Sequence, residues 1–179
     1  DADERISPEL ERALDIVIRE GAYPVYWVTI EDIFLGKRMT HLAGHNPRLI
    51  QKQKAYWSNA NVHERMIYAD IKHASKYKDT TSGEITQPIV HKSYTSISAY
   101  LVKMHRYTSL DAAEMQKTGT HRSGMHVTKN IFLPYYLASK QFIKLFFYRK
   151  GFLDSWQGLV WCTLSGYYEY EMGKKYLSL

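Results

Sequence analysis

The chain has 179 residues, 45% of them apolar, enough to build a hydrophobic core and to exclude an intrinsically disordered chain. Its net charge of +6 points to an anionic partner such as a nucleotide diphosphate, an anionic lipid, a lipopolysaccharide core or nucleic acid. The single cysteine, Cys162, excludes an internal disulfide framework and any cysteine-rich zinc site, and it fits a reducing cytosol.

Asp1-Ala2-Asp3-Glu4 places two carboxylates one residue apart. On a tight turn such a pair can hold a hard divalent cation. Mg²⁺ takes only one or two protein carboxylates and fills its other positions with water and substrate phosphates. The other reading is a solvated terminus. Ser7-Pro8-Glu9 reads as a helix start, with Ser as N-cap, Pro in the first turn and an acid beside it. Leu10, Ala13, Leu14, Val17 and Ile18 follow at helical spacing, and Gly21 stops the helix. Tyr23 to Ile30 is rich in β-branched and aromatic residues and predicts a strand. Lys37 to Leu42 and Arg48 to Gln53 predict two more, with Gly44-His45-Asn46-Pro47 as the turn between them. Ala55 to Val62 predicts a further strand ending at His63-Glu64, and the polar stretch from Asp70 to Pro88 predicts a loop around Asp79 to Gly83.

From Ser93 the periodicity turns helical, with Ile97, Tyr100, Leu101 and Met104 on one stripe. Thr108-Ser109-Leu110-Asp111 resembles a capping box that opens a second helix, closed by Gly119. Thr120 to Lys129 reads as a basic, mobile linker. Two aromatic helices follow, one from about Leu133 to Lys150 and one from about Asp154 to Leu177. The longest uncharged apolar-leaning stretch, Ser155 to Tyr168, is shorter than the roughly 20 residues that cross a bilayer.

Several groups carry chemistry. Glu64, at a strand end beside His63, can act as a general base on an attacking hydroxyl; the alternative is an ordinary polar strand end. His91 can contact a substrate or cap a turn. Lys103, Arg106 and Tyr107 share a helix face by i, i+3, i+4 spacing, which suits a sugar diphosphate and equally a solvated face. Phe142, Phe146, Phe147, Phe152, Trp156 and Trp161 are interleaved with Lys140, Lys144, Arg149 and Lys150. This pattern fits a helix pair lying in a membrane interface, or a packed hairpin with an aromatic core. No phosphate-binding glycine loop, serine-nucleophile elbow or zinc-protease motif is present.

Asp1-Ala2-Asp3-Glu4-Arg5 with Ser7-Pro8-Glu9-Leu10, then Arg48-Leu49-Ile50, Val62-His63-Glu64, and His91 with Tyr94 stand in this order. Tyr100-Leu101, Lys103 and Arg106-Tyr107-Thr108 follow, and then the run from Arg149 to Leu159. Together they resemble family 2 glycosyltransferases of the bacterial cell-envelope type, which include enzymes that add sugars to the lipopolysaccharide core. Ser155 stands where the family has glycine. The resemblance begins at the D-x-D motif, so the chain is similar to the C-terminal portion of such an enzyme, and a nucleotide-binding half is expected ahead of it.

The resemblance implies an α/β fold. Residues 1–92 would form the acceptor-side part of a GT-A-type catalytic domain, and residues 93–179 a mainly helical C-terminal region. It implies sugar transfer, with inversion, from a nucleotide sugar to an envelope glycan or glycolipid acceptor. Asp1 and Asp3 would bind Mg²⁺ or Mn²⁺, and Glu64 would be the catalytic base. Arg48, His63, His91, Lys103, Arg106 and Tyr107 would line the substrate. Phe142, Phe146, Phe147, Trp156 and Trp161 would face a membrane or a partner. The expected location is cytoplasmic, at the inner face of the membrane, with no nucleic acid bound. The chain without a nucleotide-binding half is expected to transfer no sugar. The competing expectation is a non-catalytic membrane-interface or protein-docking module.

Overall fold

Ser7 starts the first helix as its sequence predicts. In the computed structural model, which describes residues 3–52, 54–57, 66–68 and 82–179, Ser7 Oγ accepts the Leu10 N–H at 3.1 Å. The chain divides into two units, Asp1–Ile33 with Ala43–Ser93, and Phe34–Leu42 with Tyr94–Leu179. The first is mixed α/β and the second mainly helical.

In the first unit a two-residue strand β1 (Glu4–Arg5) leads into α1 (Pro8–Glu20), which Gly21 closes at φ 56° with its N–H on the Val17 carbonyl. Leu10, Ala13, Leu14 and Val17 cover Tyr26, Val28, Ile30, Ile85 and Ile89 of the sheet. Each large apolar side chain buried here contributes about 1.5–3 kcal/mol. Strand β2 (Val25–Phe34) is central. β4 (Gly44–Ile50) pairs with it antiparallel, β7 (Ser82–Tyr94) lies on its other side, and β1 pairs antiparallel with the far edge of β7. β7 runs in the same direction as β2. A Cβ at Gly83 would meet the Tyr26 ring at 2.5 Å, and ten residues on Ser93 Oγ donates to the Ile33 carbonyl at 3.5 Å. The sheet is therefore mixed. A separate pair joins β5 (Ala55–Trp57) to β6 (Met66–Tyr68).

Two sequence expectations fail here. The turn expected at Gly44 to Pro47 is strand. Tyr26 pairs with Leu49 but Trp27 with Pro47, so Arg48 is the extra residue of a β-bulge. Proline has no N–H to give a ladder, and a bulged strand tolerates that loss. Of the loop expected around Asp79 to Gly83, Asp79 to Thr81 lie outside the described residues, and Ser82 and Gly83 open a 13-residue strand. Its Ile85 and Ile89 point to α1 while Glu84 and Thr86 are exposed, an alternation that lowers its mean hydropathy to that of a loop.

In the second unit the strand expected over Lys37 to Leu42 is reduced to β3 (Lys37–Arg38), entered through a turn in which Leu35 and Gly36 take φ of 48° and 78°. Helix α2 (Ile97–Thr118) is continuous and capped by Ser96, so no second helix opens at Thr108. Thr108 Oγ1 donates back to the Met104 carbonyl at 2.8 Å, which uses the hydroxyl inside the helix. The expected linker after Gly119 is folded. The His121 N–H donates to the Met125 carbonyl at 2.8 Å, the Val127 N–H to the Gly119 carbonyl at 3.0 Å, and His121 and Val127 are buried.

Helix α3 (Leu133–Ile143) continues into one π-helical turn over Lys144–Tyr148, then a 3₁₀ turn over Gly151–Asp154, then α4 (Ser155–Ser178). α4 presents a glycine seam to its neighbours. A Cβ at Gly166 would lie 3.2 Å from the Ala138 carbonyl oxygen, one at Gly173 2.9 Å from Pro134 Cα, and one at Gly158 2.0 Å from the Gly151 carbonyl oxygen. Two clusters form the core. One gathers Met115, Leu137, Met172 and Tyr176, the other Phe34, Met39, Leu42 and Cys162. Among the described residues no helix is long and apolar enough to cross a membrane.

Candidate active site

The apolar stripes that face α1 on β2 and β7 end in polar residues. Counting by twos along β2, Tyr26, Val28 and Ile30 lead to Asp32; along β7, Ile85 and Ile89 lead to His91. β1 then brings Asp3 to the same place. Glu4 is in register with His91, and the Asp3 carbonyl accepts the Lys92 N–H at 2.9 Å. The result is a line of three side chains. Asp32 Oδ1 lies 2.7 Å from His91 Nδ1, and Asp3 Oδ2 lies 3.0 Å from His91 Nε2. Exposure rises along the line, from 19% at Asp32 through 23% at His91 to 44% at Asp3, so the Asp3 end is the one open to solvent.

Ionised carboxylates only accept hydrogen bonds. Each contact to the imidazole therefore holds either a proton or a cation. With the Nδ1–H donated to Asp32, the Nε2 lone pair is the one turned toward Asp3. In metal sites an arrangement of this kind fixes the orientation of a ligating imidazole. A separation of 3.0 Å between Asp3 Oδ2 and His91 Nε2 also suits two neighbouring ligands about 2.1 Å from one ion. The pair offers two ligand atoms to a divalent cation. An imidazole nitrogen beside a carboxylate favours a transition-metal ion such as Mn²⁺ over Mg²⁺, which prefers oxygen throughout. Among the described residues no group of three or more His, Cys, Asp and Glu side chains forms a metal cage, and Asp32 sits on the far side of the ring from the open end.

Arg48, the bulge residue, reaches Glu4: Nη2 and Oε1 are 2.7 Å apart, and the Glu4 side chain is 13% exposed. β4 and β1 lie on opposite sides of the β7–β2 pair, so this contact requires the sheet to curl. A guanidinium has five N–H donors, and those not directed at Glu4 suit an anionic group.

Asp1, His63 and Glu64 lie outside the described residues. Of the other expected site residues, the structure brings Asp3 and His91 into direct contact and ties Arg48 to Glu4, the neighbour of Asp3. Lys103, Arg106 and Tyr107 belong to the second unit, on α2. There the Lys103 ammonium sits 5.4 Å from the Tyr94 ring centre and 5.8 Å from that of Tyr107, a cation–π pair of contacts, while Arg106 is exposed. The five aromatics expected on one outer surface divide. Trp161 packs edge-on to Phe34 at 5.0 Å, and Phe142 and Phe146 join the same cluster. Phe147 and Trp156 are 58% and 59% exposed. The correction follows from the glycine seam, since the α4 face that holds Gly158, Cys162 and Gly166 must turn inward and takes neighbouring Trp161 partly with it.

Sequence reasoning missed Asp32, although its place two residues beyond Ile30 on the strand was a usable signal. It also missed two buried polar clusters of the second unit. Asp154, 1% exposed, accepts from the backbone N–H groups of Thr40, His41 and Leu42. Burial opposes its charge, but the His41 side chain and these N–H groups outweigh burial and hold the carboxyl below the usual range. Glu169, 2% exposed, meets His121 Nε2 at 2.9 Å and Arg122 Nη2 at 2.5 Å, and Asp111 accepts the Tyr168 hydroxyl at 2.6 Å. Burial again opposes the Glu169 charge, and His121 and Arg122 more than offset it, so this carboxyl too lies below its ordinary value. In both clusters the carboxylate is buried and ties distant segments of the unit together. No protein-family profile matches the chain, and no solved structure matches it significantly.

Proposed function

We propose that the chain is the acceptor-side part of a metal-dependent glycosyltransferase of the GT-A type, acting on an envelope glycan or glycolipid with a nucleotide sugar as donor. The observation that supports this reading is the line from Asp32 through His91 to Asp3. It puts the second aspartate of the D-x-D motif and an oriented imidazole at the open end of a mixed sheet. In this reading Asp3 and His91 hold the ion, and Asp1 is the other carboxylate that the motif assigns to it. When bound, the ion neutralises the leaving diphosphate. Asp32 is a positioning residue that keeps the His91 ring aligned. Arg48 offers its remaining N–H groups to phosphate, and Glu4 holds it in place. Glu64 takes the acceptor proton, a role carried from the resemblance. Lys103, Arg106 and Tyr107 belong to the second unit and carry no part of this reading.

The test is a Mn²⁺ titration of the chain, with and without a nucleoside diphosphate, followed by calorimetry. Tight binding that falls at least tenfold in Asp3→Ala and in His91→Gln is the expected result. Equal Mn²⁺ affinity in the two variants and the wild type would sink the assignment.

A further inference from the structure

We propose that the corner between α3 and α4 is a membrane-docking element that inserts into the headgroup region of an anionic bilayer. The proposal stands apart from the transfer reading and uses only residues of the second unit. The helix breaks here. A π turn (Lys144–Tyr148), Lys150 in the left-handed region at φ 55°, and a 3₁₀ turn (Gly151–Asp154) reverse the chain into α4. Around that reversal Ile143, Phe147, Tyr148, Phe152, Leu153 and Trp156 are 46–81% exposed. Consecutive large apolar side chains held in water at one corner are not a surface that a lone soluble unit needs.

Charge identifies the occupant. From Met115 to Leu153 the sequence contains no Asp or Glu. The next acid, Asp154, is 1% exposed and its carboxylate is taken up by the Thr40–Leu42 backbone. Lys140, Lys144 and Lys150 are exposed beside the aromatics. A second copy docked through this corner would bring a second set of these lysines to the interface, with no Asp or Glu between Met115 and Leu153 to meet them. An anionic lipid surface complements them, and Trp156 and Tyr148 are side chains that settle where apolar and wet layers meet.

The test is co-sedimentation of the full chain with vesicles of phosphatidylcholine alone and of equimolar phosphatidylcholine and phosphatidylglycerol. The expected result is binding to the anionic vesicles only, lost on raising the salt. Lys144→Gln and Lys140→Gln should each weaken partition about fivefold. Phe147→Ser and Trp156→Ser, both at exposed positions, should leave the circular dichroism spectrum unchanged and each weaken partition about tenfold or more. Sedimentation with neither vesicle overturns the proposal. So does binding that is indifferent to Phe147→Ser and Trp156→Ser, or a dimer mass in light scattering that these two variants abolish.

Discussion

Replacing Asp154 by alanine should be among the most damaging single changes in the second unit. The carboxylate sits at the start of α4 and accepts the Thr40 N–H at 3.1 Å, the His41 N–H at 3.1 Å and the Leu42 N–H at 3.0 Å. Thr40 Oγ1 at 3.3 Å and His41 Nδ1 at 3.2 Å complete the set. A hydrogen bond to a charged group contributes about 1.5–3 kcal/mol, and a buried donor left without a partner costs about 1–3 kcal/mol. Three orphaned backbone N–H groups would cost about 3–9 kcal/mol if nothing moved. Water entering beside the half-exposed His41 ring brings the expected loss to about 4 kcal/mol, a large share of the 5–15 kcal/mol that holds a typical domain. Asp154→Asn keeps one acceptor oxygen and turns an amide toward a donor, for a loss of about 2–3 kcal/mol. Thr40→Ala removes one long side-chain bond and should cost less than about 1 kcal/mol. The assay is urea unfolding followed by far-ultraviolet circular dichroism, dominated by the helices of this unit. Asp154→Ala within 1 kcal/mol of the wild type would show that the Thr40–Leu42 segment does not depend on the carboxylate.

Gly158→Ala should lower the melting temperature far more than Gly166→Ala, because its Cβ would lie 2.0 Å from the Gly151 carbonyl oxygen while that of Gly166 meets Ala138 oxygen at 3.2 Å. Glu169 has a folded carboxyl below its ordinary 4.5, so its contribution to stability is present above that pH and is lost as pH falls through the folded value. Denaturant midpoints measured from pH 7 downward should hold until about pH 5 and then fall, and Glu169→Gln should flatten that acid limb while lowering stability at pH 7. Asp32→Asn should weaken Mn²⁺ binding by about ten- to a hundredfold with an unchanged circular dichroism spectrum, since only the orientation of His91 is lost.

The parts of the fold that local chemistry decides could be read from the chain. Ser7, Gly21 and Gly119 mark helix ends by capping rules that need no tertiary partner. The errors fall where a distant partner overrides a local preference. Pro47 reads as a turn residue until β2 offers it a place in a bulge. Thr108 and Asp111 read as a helix start, but Thr108 bonds its own helix and Asp111 is held by Tyr168. The polar stretch after Gly119 looks mobile because its anchor is His121 on Glu169, 48 positions away.

The candidate site divides along the same line. Asp3 and His91 can each be named from residue type and motif, yet neither alone outweighs an ordinary polar role, and it is their contact that makes a candidate site. That contact joins residues 88 positions apart and follows from the pairing of Glu4 with His91, which no local pattern encodes. Asp32 shows the opposite failure: the alternation is visible, but the strand predicted over Tyr23 to Ile30 stops two residues short of the aspartate that contacts His91. For the aromatic helices, periodicity could not choose between core and surface because rings occur on both faces. The glycines make the choice. Gly158, Gly166 and Gly173 admit close backbone approach on one face of α4, so Trp156, on the opposite side, is left outward. A bulky residue introduced along that seam should therefore disturb membrane partition and stability together, whereas Trp156→Ser should disturb partition alone. If both substitutions lowered stability alike, the outward placement of Trp156 would be wrong.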